Sequence, residues 1–261
     1  MTPDAEKEEF PAYEQPPVTE TVVGIEFAAL PIGFMGLASL HGLWNADFPN
    51  PVEQEALPPT RPVQQGAPDF AFRLGVGPPP ARLWMISSDQ HFLIQVQSDR
   101  LTLNWRRLDA EANSYPGFEI LKARFESLFA DFRSHISGSL NIEVEPMVVE
   151  WTYVNEIDRA DRVLDIWRES NLQLPGDLLL TRFQNIRTLD IDGISGQLTI
   201  AAEPMSLGPD HKTSLTVSTQ IFLTPEHTTN AIALIDRAHY TSRQAFESIT
   251  SEQAKTDWGS V

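Results

Sequence analysis

Hydrophobic and polar residues alternate along three neighbouring segments, and this alternation predicts a β-meander. The segments are residues 82–86, 91–97 and 100–107, with short polar turns between them. If Ser98 and Asp99 form a two-residue turn, the last two strands pair so that one face of the hairpin is wholly apolar. The predicted facing pairs are Val96 with Leu101, Ile94 with Leu103, and Phe92 with Trp105. A shift of one residue would exchange the two faces, so the pattern specifies the register.

Two longer segments carry apolar residues at the spacing of an amphipathic helix. The first helix is predicted to begin at Pro116 and end at Gly138, and the second to follow Pro225 with Thr228 or Thr229 as its N-cap. The stripe of the first helix consists of Phe118, Leu121, Phe125, Leu128, Phe129, Phe132 and Ile136. The stripe of the second consists of Ile232, Ile235, His239, Ser242, Phe246 and Ile249. Each stripe predicts a helix that packs one face against a core.

Shorter elements account for much of the remaining chain. Residues 21–27 alternate as a first strand, and residues 37–48 have helical spacing. In the second half, strands are predicted at 147–153, 189–191, 198–202 and 215–223, with a short helix at Val163, Ile166 and Trp167. The uncharged stretch from Phe27 to Ala46 has the length of a membrane-spanning helix. Its glycines, its proline and its polar residues favour a strand end followed by a core helix, so no membrane association is predicted.

The order of elements is similar in the two halves of the chain: strand, helix, several strands, long helix. We therefore predict an α+β protein with pseudo-duplicated halves, in which a mostly antiparallel sheet carries the long helices on one face. The predicted halves are residues 18–140 and 141–261. A disordered acidic tail, residues 1–17, precedes them. An extended proline-rich arm, residues 49–80, interrupts the first half.

Composition narrows the class of protein. The chain has 261 residues, of which 41% are hydrophobic, and this favours a globular fold. The 36 acidic side chains outnumber the 19 Lys and Arg by 17, so the chain repels a phosphate backbone and duplex nucleic acid is an unfavourable partner. The absence of cysteine excludes disulfides, thiolate nucleophiles and iron–sulfur clusters, and it favours a reducing cytoplasm. The N-terminal residues lack the basic patch and apolar run of a secretion signal.

Metal-binding motifs are not evident. The six histidines include no HExxH arrangement, and the nearest pairing is Asp236 with His239, one helical turn apart. Because His239 shares a stripe with apolar residues, a hydrogen-bonded core histidine is the favoured interpretation. Three aspartates at positions 158, 161 and 165 alternate with arginines and are expected to form a charge-paired face. Asp190 and Asp192 precede Gly193 as at the start of a calcium loop, but the closing glutamate is missing.

Catalytic and cofactor motifs are equally weak. The nearest match to a nucleophile elbow, residues 193–196, lacks the GxSxG pattern. The glycines of residues 75–77 run into three prolines, which supply no backbone N–H groups to a phosphate. We therefore predict no catalytic residue, no metal and no cofactor. Whether the protein is an enzyme stays open, and the sequence favours a protein without catalytic activity.

One face of the predicted hairpin has the composition of a binding surface. It carries His91, Gln95, Gln97, Arg100, Asn104 and Arg106, and we add Tyr153 and Asn155 from the second half as candidate partner-binding or ligand-binding residues. An antiparallel sheet often keeps one polar face in water, so alternation alone does not establish a site. Amide and guanidinium groups nevertheless outnumber Lys and Glu there, and such groups favour directed hydrogen bonds.

Several segments together resemble a known group of proteins. These segments are residues 17–20, 22–27, 93–100, 104–107, 115–116, 151–155, 238–239 and 246–250. The chain is similar, over nearly its whole length, to a sporadically distributed bacterial family of uncharacterised proteins of about this size. The resemblance implies a patchily inherited prokaryotic gene, as is common in accessory or antiviral defence loci. It implies no catalytic residue and no ligand.

Three functions remain open from the sequence. The first is a non-enzymatic interaction protein, an accessory component of a prokaryotic system such as antiviral defence, which acts through a basic protein partner steered by the acidic surface. The alternative is a sensor of a small molecule or nucleotide, with a pocket between the halves near Tyr153, Asn155, Trp105 and Arg106. The third is a metal-dependent nuclease or hydrolase that uses aspartates such as Asp190. The sequence leaves the oligomeric state open, and a homo-oligomer is compatible with it.

Overall fold

The computed structural model describes residues 10–62, 81–108, 115–158, 182–205 and 212–260. The helices in this part of the chain are α1 (Phe34–Trp44), α2 (Phe118–Leu140), α3 (Ala231–Ile249) and α4 (Glu252–Asp257), and a 3₁₀ helix covers Pro225–Asn230. The strands are β1 (Val18–Phe27), β2 (Asn50–Glu55), β3 (Ala81–Ile86), β4 (Phe92–Gln97), β5 (Arg100–Arg106), β6 (Pro146–Asp158), β7 (Phe183–Ile191), β8 (Ile194–Pro204) and β9 (Lys212–Phe222). The short helix predicted at 163–167 lies outside the described residues.

The strands form one antiparallel sheet, so the α+β class with a large antiparallel sheet is confirmed. Their order across the sheet is β2-β3-β4-β5-β1-β6-β9-β8-β7. The β4–β5 hairpin has the predicted register, with Phe92 opposite Trp105, Ile94 opposite Leu103 and Val96 opposite Leu101. At the centre, β1 lies between β5 and β6, and Val23 faces Trp151 across the β1–β6 pair. Residues distant in sequence therefore form the middle of the sheet.

The main core cluster joins apolar residues of the sheet to apolar residues of the helices. Val23, Ile25, Leu103 and Ile94 are fully buried on one face of the sheet, where Leu103 pairs with both Val23 and Ile94. They share one core cluster with the stripe of α2, whose buried members are Leu121, Phe125, Leu128, Phe129, Phe132 and Ile136. The same cluster includes Leu37, Leu40 and Trp44 of α1. The prediction that a strand ends near Phe27 and is followed by a core helix is thus confirmed.

Three predicted helix boundaries were wrong. Helix α2 begins at Phe118, two residues after Pro116. Gly138 lies inside α2, which continues to Leu140 and ends where Asn141 adopts a left-handed conformation with φ 54°. Asparagine tolerates this conformation better than most residues with a Cβ, so it can end a helix in place of glycine. The last long helix begins at Ala231, after the 3₁₀ turn. Thr228 donates its hydroxyl to the Pro225 carbonyl inside that turn, so it does not cap the helix.

The proline-rich arm contains an edge strand. Residues 50–55 form β2, which pairs with β3 along its whole length. Residues 56–62 continue beyond it without regular secondary structure, and residues 63–80 lie outside the described chain. The proline-rich arm thus begins with an edge strand that was not predicted from the sequence.

The expectation of a mobile tail is corrected for residues 10–17. Tyr13 donates a hydrogen bond of 2.7 Å to Glu247 and forms an isolated β-bridge with Ser260. The ring of Phe10 lies 5.1 Å from that of Tyr240. These contacts hold the segment against α3 and the C-terminal residues. Residues 1–9 lie outside the described chain.

The described helices also bear on the membrane question. Among residues 10–62, 81–108, 115–158, 182–205 and 212–260, none of the helices is both long enough and apolar enough to cross a membrane.

The segment that resembled a calcium loop is a hairpin turn between β7 and β8. Asp192 and Gly193 have φ values of 55° and 84°, as the two central residues of a type I′ turn require. The carboxylate of Asp190 accepts the Gly193 N–H at 2.7 Å, and Asp192 forms an ion pair of 2.9 Å with Arg237. Both carboxylates therefore have structural partners.

Gly193→Ala is expected to lower the free energy of unfolding by about 1–2 kcal/mol, because an L-residue with a Cβ is strained at positive φ. A matched control is Gly42→Ala in α1, where an added Cβ meets no atom within 4 Å. In a helix this change is expected to stabilise by about 0.5–1 kcal/mol. Urea unfolding of both variants measures the difference, and a change of the same sign in both would contradict the turn geometry.

Candidate functional site

The candidate site is the face of the sheet opposite the buried stripe of α2, here called the polar face. Its central residues come from β1, β4, β5, β6 and β9, and cross-strand pairing places them on one side of the pleat. They are Glu20, Glu26, Gln95, Gln97, Arg100, Thr102, Asn104, Glu150, Thr152, Ser218 and Gln220. Because buried polar groups require partners, the contacts among these side chains determine what the face can bind.

A first group of side chains forms a hydrogen-bonded row across β3, β4, β5 and β1. Arg82 donates to the side-chain carbonyl of Gln95 at 2.9 Å, and Gln95 donates to that of Asn104 at 2.8 Å. Asn104 in turn donates to the carboxylate of Glu20 at 2.6 Å. Each amide therefore has a defined orientation along the row. Such fixed donors and acceptors form a preorganised surface.

A second group contains a buried ion pair. Arg100 and Glu26 are adjacent across the β1–β5 pair, and the Arg100 guanidinium donates to the Glu26 carboxylate. Their residues are only 8% and 7% exposed. Removing two charges from water is unfavourable unless each keeps a charged or hydrogen-bonding partner. The further partners of this pair come from a stretch of the proline-rich arm.

That stretch, residues 57–60 with the sequence Leu-Pro-Pro-Thr, lies across the polar face and is called here the bound segment. The side-chain amide of Gln97 accepts the Leu57 N–H and donates to the Leu57 carbonyl, both at 3.0 Å. Arg100 donates to the Pro58 carbonyl at 3.3 Å and to the Thr60 hydroxyl at 3.1 Å. Glu26 accepts the Thr60 N–H at 3.0 Å and also its hydroxyl. Three side chains of the face thus hold one extended stretch of backbone.

A third group continues the polar face toward β9. The Thr152 hydroxyl lies 2.8 Å from the Glu150 carboxylate and 2.6 Å from the Ser218 hydroxyl. Burial raises the pKa of the Glu150 carboxyl, and the hydrogen bond from Thr152 opposes part of that rise. Farther along β9, Thr216 is half-buried on the same face. This part of the face carries hydroxyl and amide groups with few charges.

The predicted site residues lie in three places: the polar face, the end of the hairpin, and the opposite face of the sheet. Gln95, Gln97, Arg100 and Asn104 lie together on the polar face, in the contacts described above. His91 and Arg106 lie at the end of the same hairpin, where His91 Nδ1 is 3.1 Å from the Arg106 carbonyl and Arg106 donates to the Gln90 carbonyl at 3.3 Å. These two side chains bind backbone at the hairpin end.

Tyr153 and Asn155 lie on the opposite face, because they share the alternation of Trp151 in β6. Asn155 donates to the Leu215 carbonyl at 3.2 Å. Both residues line a cavity of about 30 Å³, together with Tyr115 and Arg243 among others. That volume accommodates about one water molecule. The large pocket that a metabolite sensor needs at this position is not formed by the described residues around it.

A larger groove of about 580 Å³ opens near the ends of β6 and β9. Its cations already have partners within the protein: Arg107 donates to the carbonyls of Pro16 and Val18, and Lys212 pairs with Glu156. Both of these cations therefore already bind groups of the protein, and neither is free to bind an anionic ligand in the groove.

Comparison with known proteins does not assign the chain to a family. No family model matches the chain, and no curated protein matches it. The resemblance to a sporadic bacterial family therefore stays a prediction, and function is argued from the polar face.

Several residues of the polar face were missed from the sequence. Glu20 and Glu26 alternate with the apolar residues of β1, so they lie on the side of that strand that faces away from the core. Their proximity to Asn104 and Arg100 depends on β1 pairing with β5, which no local pattern predicts. The same is true of Thr152 and Ser218, and of the bound segment.

Metal ligation has no support in the described ranges, where no group of three or more His, Asp or Glu side chains is placed to hold an ion. His239, the best candidate from sequence, instead stacks on Phe118 with ring centroids 3.8 Å apart and meets Trp151 edge to face at 5.3 Å. Its neighbour Asp236 binds Lys122 through both carboxylate oxygens at 2.8 Å. His239 is thus part of an aromatic core.

Acidification is expected to destabilise the protein through His239. Burial, with a smaller contribution from the Arg243 charge, lowers the pKa of His239 from 6.5 to about 4. As the pH falls, His239 takes up its proton in the unfolded chain before it does so in the folded protein. The stability contributed by neutral His239 is therefore complete above its pKa in the unfolded chain and is lost as the pH falls toward 4. The loss from this group is about 2 kcal/mol between pH 7 and pH 5.

Urea unfolding of the wild type and His239→Phe at both pH values measures this contribution, because phenylalanine keeps the ring contacts and cannot titrate. The decrease from pH 7 to pH 5 is expected to be smaller in His239→Phe by about 2 kcal/mol. Leu128→Ala is the control, since it weakens the core by the same amount at both pH values. Identical decreases in wild type and His239→Phe would refute the assignment.

Proposed function

We propose that the protein is a non-enzymatic interaction protein whose polar face docks a protein partner. One observation carries the proposal: the side chains of Gln97, Arg100 and Glu26 hold an extended stretch of backbone, residues 57–60, across this face. A surface that pairs backbone N–H and C=O groups through preorganised side chains recognises polypeptide. The amide and hydroxyl groups toward β9 extend the same kind of surface beyond the bound segment.

The proposed partner is a basic protein. The net charge of −17 supports this, because an acidic surface attracts cations during diffusional encounter and repels other acidic chains. We place the function in the cytoplasm, on the strength of a chain without cysteine. The resemblance to a patchily inherited bacterial family favours an accessory role in a prokaryotic system, including antiviral defence.

We also propose that two similar halves build the sheet, with the long helices on one side. The strand order supports this, because β5 and β9 flank the β1–β6 pair, β4 and β8 follow them, and a long helix succeeds each of β5 and β9. Phe118 of α2 and His239 of α3 both pack on the ring of Trp151, at 5.0 and 5.3 Å. These contacts support a common side for the two helices, which would leave the polar face to the partner.

The test is affinity purification from the native host with quantitative mass spectrometry, using one variant on each surface. Thr216→Arg adds a bulky cation to the polar face, and Ser134→Arg makes a comparable change on the exposed surface of α2. We expect a partner that is retained by Ser134→Arg, lost with Thr216→Arg and weakened by salt. Recovery of the wild type only as a free monomer, or equal recovery with both variants, would refute the proposal.

A further inference from the structure

The bound segment is held in the manner of a peptide ligand. Leu-Pro-Pro-Thr has only two backbone N–H groups, those of Leu57 and Thr60, because proline has none. The polar face accepts both, through Gln97 and Glu26, and it also donates to the carbonyls of Leu57 and Pro58. Four of the six hydrogen bonds between the face and the segment therefore involve backbone atoms, which a different polypeptide also presents, and the other two involve the Thr60 hydroxyl.

Exposure indicates that the segment is not held by apolar burial. Leu57 is 38% exposed, and Pro58 is exposed as well, whereas Gln97 and Arg100 beneath them are buried. A strap that is anchored by the hydrophobic effect would bury such a leucine. Polar contacts that give modest net stability can be exchanged for equivalent contacts with another chain.

We propose that the polar face binds an extended, proline-containing peptide of its partner at the position of residues 57–60, which occupy the site as an internal competitor. This inference rests on the proposed function and specifies its ligand. The chemistry at each position defines the class of peptide: an exposed first residue, two prolines, and a serine or threonine whose hydroxyl lies between Glu26 and Arg100. The prolines restrict the free peptide and so reduce the entropy lost on binding.

Occupancy of the site by residues 57–60 determines how strongly the binding of a free peptide is reduced. A tethered segment has an effective concentration of roughly millimolar order, so a free peptide with the same contacts is suppressed until the segment is released. A partner overcomes this by adding contacts elsewhere on the polar face, and a short peptide lacks those contacts. Release of residues 57–60 is therefore expected to raise the affinity for such a peptide by about tenfold or more.

The release variant is Thr60→Pro, which removes the N–H and the hydroxyl that Glu26 accepts. The probe is a fluorescein-labelled peptide of residues 55–62, Glu-Ala-Leu-Pro-Pro-Thr-Arg-Pro, and its fluorescence anisotropy reports binding to the full chain. We expect Thr60→Pro to bind it at least about tenfold more tightly than the wild type. Thr60→Ser, which keeps both groups, is expected to bind as the wild type does. Adding Gln97→Ala to Thr60→Pro is expected to abolish binding.

A folded Thr60→Pro variant that binds no more tightly than the wild type would overturn the inference. If that variant does not fold, the unmodified protein is titrated with millimolar unlabelled peptide, and the ¹⁵N amide resonances of Leu57 and Thr60 are followed. Movement of these resonances supports displacement, and their constancy overturns it. The outcome is separable from the proposed function: a partner that still distinguishes Thr216→Arg from Ser134→Arg leaves the docking surface in place and removes only its peptide chemistry.

Discussion

Replacing Arg100 with methionine is expected to lower the free energy of unfolding by about 3–5 kcal/mol. Methionine preserves much of the side-chain length, but it leaves the Glu26 carboxylate without its cation at a position that is only 7% exposed. The variant also loses the donors to Pro58 and Thr60, so the bound segment is weakened at the same time. Urea unfolding at pH 7 measures the change.

The double variant Glu26→Gln with Arg100→Met tests whether an unpaired charge is the cause. Since it contains no buried charge at this position, it is expected to be more stable than Arg100→Met alone by about 1–3 kcal/mol. Arg106→Met, in the same strand but at the hairpin end, is the control and is expected to change stability by less than about 1 kcal/mol. Equal stability of the double and single variants would contradict the buried-pair explanation.

Phe125→Ala is expected to destabilise the protein by about 3–5 kcal/mol. The Phe125 ring is fully buried in the core cluster and stacks near Phe129, with ring centroids 6.0 Å apart. Truncation removes the buried ring and leaves a cavity that the helix and the sheet can only partly fill. The midpoint of urea unfolding is expected to fall with little change in slope.

Ile120→Ala provides the matched control on the same helix. Ile120 is 58% exposed, so its truncation removes little buried surface, and alanine has the higher helix propensity. Its effect is expected to lie within about 0.5 kcal/mol of zero. A comparable loss in both variants would mean that the assigned buried face of α2 is wrong.

The elements that sequence predicted best are those whose signal is local. The β4–β5 register follows from alternation within residues 91–107, and the buried stripe of α2 follows from helical spacing. In contrast, β2 has a single apolar residue, Val52, between polar residues and a proline, because it is an exposed edge strand. Without a buried face it leaves no periodic pattern, so it was included in the extended proline-rich arm.

The candidate site was only partly predictable, because its contacts join residues far apart in the chain. Gln95 and Asn104 belong to one hairpin and could be placed together from the turn alone. Glu26 meets Arg100 only through the β1–β5 pairing, 74 positions apart. Strand order depends on long-range packing that a local pattern does not encode. Tyr153 illustrates the converse, because it alternates with Trp151 and lies on the apolar face, whereas it was predicted as a binding residue together with the polar residues of the hairpin.

The β1–β6 pair has a consequence for fragments of this chain. β1 uses one edge for β5, over residues 20–26, and the other edge for β6, over almost all of its ten residues. A polypeptide that ends near residue 140 would keep the first edge satisfied and would present the second as a long row of unpaired N–H and C=O groups. Such a fragment would self-associate through that edge, and adding the remaining chain in trans would restore a monomeric sheet by strand complementation.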